Sequence, residues 1–324
     1  MFRFPGRAFT LAVALIALGI APQAYAQAYP LKPLRLLVPF APGGVSDIVA
    51  RLVAPRLSEG LGQSVVVENR VGAGGVIATE LVAKAAPDGY TLLTAFDNFA
   101  ANPYLYKSAT YHPVKDFAPI GQAVRSRIVV VVNPRLGVKT LDELVRLSNS
   151  RKDPMTYASA GGGTSSHLIA ELLKLTTGIE ATAVHYKGGA PAMTDLLGGQ
   201  VDMMVATMSI ALQHVRAGKL NAIAVTSGNR TPLLPGVPAV AETYPGFEAQ
   251  SWVGFVGPAG IPRAVITRLN AELGRAASLP EVREKLEALG FEITLGTPEA
   301  FGDWIASESA RWSRVIRERR ITVE

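Results

Sequence analysis

The fold is decided by a stretch near the amino terminus, residues 34–59, which reads LRLLVPFAPGGVSDIVARLVAPRLSE. Residues 34–39 are mostly aliphatic, which predicts a buried strand. In residues 47–59 the apolar side chains recur on one face of a helix, which predicts a helix that Pro55 would bend. Gly43 and Gly44 lie between these two segments. A strand, a glycine turn and a helix in this order are typical of one βα unit.

The same alternation continues along the chain, so we expect an α/β fold built on a largely parallel sheet. Further strands are predicted at residues 64–68, 91–94, 127–132, 155–158, 181–185, 201–205, 222–226 and 252–256. Thr140 and Glu143 form a capping-box pattern that predicts a helix start, and Gly178 is predicted to end a helix at 166–177. The last third predicts helices at 264–277, 280–289 and 298–319, with a short strand at 291–294.

The βα rhythm restarts near Ser126, although neither an internal repeat nor a low-complexity linker marks a boundary there. If residues 252–256 then return to the first sheet, the chain forms two discontinuous lobes. We expect residues 27–125 and 252–324 in lobe 1 and residues 126–251 in lobe 2. Small-molecule sites tend to form in the cleft between two such lobes.

The amino terminus has the pattern of a secretory signal peptide. Arg3 and Arg7 precede an apolar run at residues 8–21, and the small-residue motif Ala24-Tyr25-Ala26 follows that run. We expect residues 1–26 to be removed by cleavage after Ala26, which would place the mature protein in the periplasm. The alternative is a retained membrane anchor. No later run reaches the roughly 18 apolar residues that a membrane helix needs.

The composition argues against several classes of protein. The chain has no Cys, which excludes disulfides and thiolate chemistry. Its 32 basic and 26 acidic side chains form no basic stripe interleaved with aromatic residues, so we expect no nucleic-acid partner. The four histidines lack metal-ligand spacing, and no nucleophile motif or pair of acids indicates catalysis. We therefore expect no metal, no cofactor and no enzymatic activity.

Two glycine-rich turns are the candidate functional segments. The first, residues 39–47, would expose backbone N–H groups at a helix amino terminus, and such groups can hold a carboxylate or phosphate without a charged side chain. The alternative is a tight turn in which Ser46 or Asp47 only caps the helix. The second, residues 158–167, reads ASAGGGTSSH and has neither the Lys of a P-loop nor the residue order of a nucleophile elbow. His167 in that turn could face a cleft or pack in the interior.

A third glycine segment, residues 72–77, reads GAGGVI and lacks the third glycine of a dinucleotide-binding fingerprint. We interpret it as a turn that lets the following helix pack closely on the sheet.

Ordered motifs through nearly the whole predicted mature chain resemble the Bug-type receptors, which are the solute-binding components of tripartite tricarboxylate transporters. In the first half these motifs are VPFAPGG at 38–44, VENR at 67–70, GAGG at 72–75 and PDGYTLL at 87–93. In the second half they are YAS at 157–159, YKG at 186–188, LLGGQVD at 196–202 and PAG at 258–260.

The resemblance implies a type II periplasmic-binding-protein fold, with two discontinuous Rossmann-like lobes around a central ligand cleft. It implies a receptor that captures a small organic carboxylate and delivers it to the membrane components of the transporter, and we expect that receptor to be a monomer. Binding would use backbone N–H groups, hydroxyls and water rather than an arginine clamp. The implied ligand-binding residues are Phe40, Ala41, Pro42, Gly43, Gly44, Ser46, Asp47, Asn98, Ser159, Gly161, Gly163, Thr164, Ser165, His167 and Thr207.

Two other functions are compatible with the same fold. One is a sensor that reports its ligand to a membrane signalling protein, which the neighbouring genes would distinguish. The other is a periplasmic enzyme, which turnover of the bound ligand would reveal.

Asp97 departs from the small residues that the family usually has next to Asn98, and a carboxylate is unfavourable beside an anion. We expect Asp97 to point outward or to contact a polar group of the ligand.

Overall fold

The structure is a computed structural model that describes residues 29–323. The predicted signal peptide and its cleavage site lie outside these residues. The described chain contains two separate β-sheets, one of six strands and one of five, with helices on both faces of each. This confirms the predicted α/β class. Within the described residues, no helix combines the length and hydrophobicity that crossing a membrane requires.

The strands, in chain order, are β1 (Leu34–Val38), β2 (Val65–Asn69), β3 (Thr91–Phe96), β4 (Phe117–Ser126), β5 (Ile128–Val132), β6 (Met155–Ser159), β7 (Ala181–His185), β8 (Met203–Thr207), β9 (Asn221–Val225), β10 (Ser251–Pro258) and β11 (Phe291–Ile293). The first sheet has the order β11-β4-β10-β3-β1-β2, and the second has the order β7-β6-β8-β5-β9.

The helices are α1 (Val45–Leu61), α2 (Val76–Ala83), α3 (Asp97–Ala101), α4 (Leu141–Ser150), α5 (Ser165–Thr177), α6 (Gly189–Gly198), α7 (Met208–Arg216), α8 (Val240–Thr243), α9 (Arg263–Ser278), α10 (Pro280–Ala288) and α11 (Pro298–Arg319). The predicted helices agree with these within a few residues. The capping box before α4 is present, because the Thr140 hydroxyl accepts from the Glu143 amide and the Glu143 carboxylate accepts from the Thr140 amide.

Both sheets are mixed, so the prediction of a largely parallel sheet was only partly right. In the first sheet β1 pairs in parallel with β2 and β3, whereas β10 is antiparallel to both β3 and β4. In the second sheet β6 pairs in parallel with β7 and β8, whereas β5 is antiparallel to β8 and β9. The antiparallel strands β4, β5 and β10 are those that carry the chain from one sheet to the other.

The chain crosses between the sheets at two neighbouring points. It leaves the first sheet at the end of β4 and enters β5 after the single residue Arg127. It returns at the start of β10, where Ser251 pairs with Ser126. Next to the return, the Thr226 hydroxyl donates to the carbonyl of Ala249 at 2.6 Å. The two crossings therefore lie side by side.

Each sheet is covered on both faces by a hydrophobic core. In the first sheet, α1, α9 and α10 cover one face and α2 and the first half of α11 cover the other. In the second sheet, α4 and α5 cover one face and α6 and α7 cover the other. Trp312 and Ile316, in the second half of α11, also pack into the core of the second sheet. The carboxyl-terminal helix therefore contacts the cores of both sheets.

Candidate ligand-binding site

The first glycine turn joins β1 to α1, and the Asp47 carboxylate holds its shape. Gly43 has a φ of 82°, a left-handed conformation that favours glycine. Its amide donates to Asp47 Oδ2 at 2.9 Å, and Asn69 Nδ2 donates to Asp47 Oδ1 at 2.8 Å. Burial opposes ionisation of this carboxyl, but hydrogen bonds from Arg51, Gly43 and Asn69 outweigh that effect and lower the pKa of Asp47. The charged carboxylate thus stabilises the turn from inside.

These contacts determine which groups of the first turn remain for a ligand. The Gly43 amide is used by Asp47, and the Gly44 amide donates to the carbonyl of Ala41 at 3.2 Å. Ala41 and Pro42 are exposed, whereas the Ser46 side chain is buried and its hydroxyl has no hydrogen-bond partner among the described residues. The first N–H groups of a helix have no partner within the helix, so the first turn of α1 supplies the remaining donors.

The second glycine turn joins β6 to α5, and its hydroxyls bond mainly to the turn itself. Ser159 and Thr164 both donate to the carbonyl of Gly161, at 2.8 and 2.7 Å. The Ser166 hydroxyl accepts from the amide of Ala160 at 2.8 Å. The hydroxyls therefore fix the turn, and the first turn of α5 presents the N–H groups that helix geometry leaves unpaired.

His167 supports the second turn from within the protein. Its side chain is buried, and its Nδ1 accepts from the amide of Gly163 at 3.1 Å. Burial, with a smaller contribution from His185, lowers the pKa of His167 to about 4. The imidazole is therefore neutral at physiological pH and positions the turn rather than supplying charge.

The third glycine segment also belongs to this region, which the sequence did not indicate. Its carbonyl at Gly74 accepts from the side chains of Asn98 and Asn102. A side chain at position 74 would collide with the Tyr106 ring, and Gly74 has a φ of 59° that favours glycine. The sequence signal was present in the clustered glycines, but nothing in it located Asn102 or Tyr106 beside them.

The structure places the second glycine turn against the segment that follows β3 of the first sheet. Tyr106, from the first sheet's side, donates to the carbonyl of Gly162 in the second turn at 3.3 Å. Ser165 at the start of α5 lies close enough to Asp97 at the start of α3 to favour the ionised form of that carboxyl, which lowers its pKa. Thr207, at the end of β8, precedes α7 and shares a hydrogen bond with Ser209 at 3.2 Å. The predicted residues thus lie at the ends of β1, β3, β6 and β8.

Asp97 is buried and does not point outward. Its carboxyl is buried and accepts from the Ser251 hydroxyl at 2.7 Å and from the Trp252 amide at 2.9 Å. Burial raises the pKa of Asp97 to about 7, although these hydrogen bonds oppose the shift. Asp97 therefore connects the end of β3 to the start of β10, and the expectation that it points outward was wrong.

The arrangement is suited to binding an anion. Neither glycine turn contains Lys or Arg, yet each precedes a helix whose amino terminus carries a partial positive charge. Across residues 29–323, no cluster of three or more His, Cys, Asp or Glu side chains could hold a metal ion.

Comparison with known proteins shows what the chain is similar to. The profile of the tripartite tricarboxylate transporter family receptors (TctC) matches residues 49–321. The periplasmic binding protein BugD is 37% identical, with a TM-score of 0.82 over 90% of this chain and 99% of that chain. Rpa4515 of R. palustris with adipate is 35% identical, with a TM-score of 0.84 over 90% of this chain and 99% of the other.

MatC from Rhodopseudomonas palustris with bound malate is 33% identical, with a TM-score of 0.82 over 89% of this chain and 100% of that chain. These relatives are solute-binding proteins, and their likeness extends over both sheets. The two-lobed binding-protein fold implied by the resemblance is confirmed. The chain belongs to the tripartite tricarboxylate transporter receptor family, whose members are periplasmic solute-binding proteins.

Proposed function

We propose that this protein captures a small organic carboxylate in the periplasm and delivers it to the membrane components of a tripartite tricarboxylate-type transporter. The observation that carries the proposal is the presence of two turns without Lys or Arg, one in each sheet, each leading into a helix amino terminus. The related structures with adipate and malate support a carboxylate ligand.

The partial positive charge at the start of α1 and α5 would provide the attraction. The candidate donors are the first-turn N–H groups of both helices, while Asp47 and His167 keep the turns in shape. Ser159, Gly161, Gly163, Thr164 and Ser165 would then form the second half of the site mainly through the backbone. Asn98 and Thr207 remain proposed contacts at its border.

A charge placed in the exposed first turn tests this account. In Ala41→Asp the new carboxylate would repel an anionic ligand, and we expect binding to weaken by about tenfold or more, because like charges about 6 Å apart repel by a few kcal/mol near a protein surface. Ala41→Asn is the matched neutral control and should bind nearly as the parent does. Isothermal calorimetry measures both. Equal affinity of the two variants would contradict an anion at this turn.

The ligand itself can be identified by a thermal-shift screen of mono-, di- and tricarboxylates that includes malate and adipate. A ligand that binds only the folded state at a hundred times its dissociation constant adds about 2.7 kcal/mol of stability. The corresponding amides serve as uncharged controls. Stabilisation by the amides and not by the acids would contradict a carboxylate site.

We also propose that the lobes comprise residues 27–125 with 252–324 and residues 126–251, and that a ligand closes them. The adjacent crossings at Ser126 and Ser251 support a hinge at this point, and α11, which packs on both sheets, is a third connection that would have to move with it. Small-angle scattering should show a smaller radius of gyration when the identified ligand is added. An unchanged radius at saturation would contradict closure.

Delivery to a transporter requires its own test. Cells lacking this protein but containing the membrane components should take up the labelled ligand only when the protein is restored. Ala41→Asp should restore uptake less well than Ala41→Asn. Uptake that does not depend on the protein would favour a sensory role instead.

A further inference from the structure

A pocket lies outside the glycine turns, beside strand β4 of the first sheet. Its volume is about 490 Å³, within the size range of small-molecule sites, and it lies between β4, the segment after β11 and the first half of α11. Gln122 and Arg125 come from β4, Thr294 follows β11, and Phe301 and Trp304 come from α11. No residue of the three glycine segments lines it.

The residues of this pocket carry a concentration of unpaired polar groups. Four buried polar atoms, Nε2 of Gln122, Nε of Arg125, Oγ1 of Thr294 and Nε1 of Trp304, have no hydrogen-bond partner in the described part of the chain. The Gln122 side chain is only 6% exposed. Buried polar groups are normally hydrogen-bonded, and three of these atoms are N–H donors. Their shared position at one pocket points to a ligand that accepts hydrogen bonds.

Arg125 adds a positive charge to these donors. Its guanidinium lies 4.0 Å from the centroid of the Trp304 ring, and no carboxylate of residues 29–323 is within ion-pair distance of it. The nearby Glu308 carboxylate pairs with Arg311 at 3.2 Å and accepts from Trp312 at 3.0 Å. Asp303 lines the pocket but is exposed, so solvent screens its charge. Arg125 is therefore the one positively charged residue that lines the pocket.

The pocket is also partly apolar. Leu295, Ala300, Phe301 and the Trp304 ring form its apolar surface. An arginine stacked on an aromatic ring is well suited to recognise a planar carboxylate, since the guanidinium presents N–H groups in a fixed plane. A small ligand with a carboxylate at one end and an apolar body would match both parts.

We propose that this pocket is a second ligand site, which binds a small organic carboxylate with an apolar body independently of the cleft between the lobes. The carboxylate contacts Arg125 and Gln122, and the apolar body packs against Phe301 and Trp304. A ligand bound at this site leaves the conformation of the glycine turns unchanged.

Trp304 provides a local probe of the site. The chain has three tryptophans, so its indole N–H resonances are few, and Trp304→Phe assigns the one at the pocket. We would titrate uniformly ¹⁵N-labelled protein with benzoate at constant ionic strength and use benzamide as the uncharged control. Benzoate should shift the Trp304 resonance saturably, whereas benzamide should bind much more weakly.

The variants separate this site from the cleft and from nonspecific charge effects. Arg125→Gln should weaken benzoate binding about tenfold or more, because hydrogen bonds to charged groups are the stronger class. Gln122→Met, which keeps the volume and removes the amide, should weaken it less. Arg283→Gln removes the same charge from an exposed ion pair on α10 and should leave the titration unchanged. Ala41→Asp, which tests the cleft, should also leave it unchanged.

Far-UV circular dichroism and thermal unfolding show whether each variant is folded, and Gln122→Met provides a second test if Arg125→Gln is not. A Trp304 resonance that benzoate does not shift saturably would overturn the proposal. An equal effect of benzoate on the parent, Arg125→Gln and Gln122→Met would overturn it as well.

Discussion

The protonation state of the Asp97 carboxyl affects the contact between the end of β3 and the start of β10. It is buried where β3 ends and β10 begins, and burial raises its pKa to about 7. The pKa in the unfolded chain is about 3.9. Because the folded value is the higher one, the protonated form stabilises the folded state. This contribution is fully present below pH about 4 and is lost as the pH rises through about 7.

Asp97→Asn should remove this pH dependence. The amide has nearly the shape of the protonated acid and can still accept from the Trp252 amide while donating to Ser251. The free energy of unfolding of the parent should therefore fall relative to the variant as the pH rises from about 5 to about 8, by at most on the order of 3 kcal/mol. Urea unfolding across this range measures the difference.

Asp153→Asn is the control, since Asp153 is exposed and the same charge is removed. This variant should show the same pH dependence of the free energy of unfolding as the parent. The free energies of unfolding of the parent and of Asp97→Asn are compared at each pH. If their difference did not vary with pH, Asp97 would stay ionised in the folded protein.

Single residues also show where sequence reasoning reached its limit. The glycine turns were predicted because turn chemistry is local: glycines, a hydroxyl and a helix start lie within a few positions. The role of Asp97 depends on Ser251, 154 positions later in the chain, and the sequence gives no sign of that contact. The same holds for Tyr106 and the carbonyl of Gly162.

At the scale of elements, β4 is the strand that the sequence did not predict. Its sequence FAPIGQAVRS contains Pro119 and Gly121, which are disfavoured in strands. The structure accommodates them through two shifts of register between β4 and β10, at Val253/Gly254 and at Phe255/Val256. Long-range pairing with β10 and β11 thus outweighs local propensity. By contrast, α1 was predicted despite Pro55, because its apolar face is continuous.

The capping box of α4 gives a prediction for one element. The Thr140 hydroxyl accepts from the Glu143 amide at 3.2 Å, so Thr140→Ala should lower the free energy of unfolding by about 1 kcal/mol. Thr176→Ala is a matched control within α5, where the hydroxyl donates to the carbonyl of Leu172. That change should cost less, because alanine has the higher helix propensity. Equal losses measured by urea unfolding would indicate that the cap contributes nothing specific.

At the scale of the whole molecule, α11 joins the two sheets. Phe301 and Ile305, in its first half, pack with Trp252 and Val256 of β10 on the first sheet. Trp312 in its second half packs with residues of the second sheet's core. Near its end, Arg319 lies 3.4 Å from Glu171 of α5. The two halves of α11 therefore pack in the cores of different sheets.

This division of α11 can be tested with one cavity in each half. Ile305 is 2% exposed and Trp312 is 1% exposed, and replacing either by Ala should cost about 2 to 5 kcal/mol. Hydrogen exchange under native conditions should then show the larger loss of protection in β3 and β10 for Ile305→Ala, and in β5, β6 and β8 for Trp312→Ala, because local opening follows the weakened core. If both variants lost protection in the same strands, the two halves of α11 would belong to one core and the lobes would unfold as a single unit.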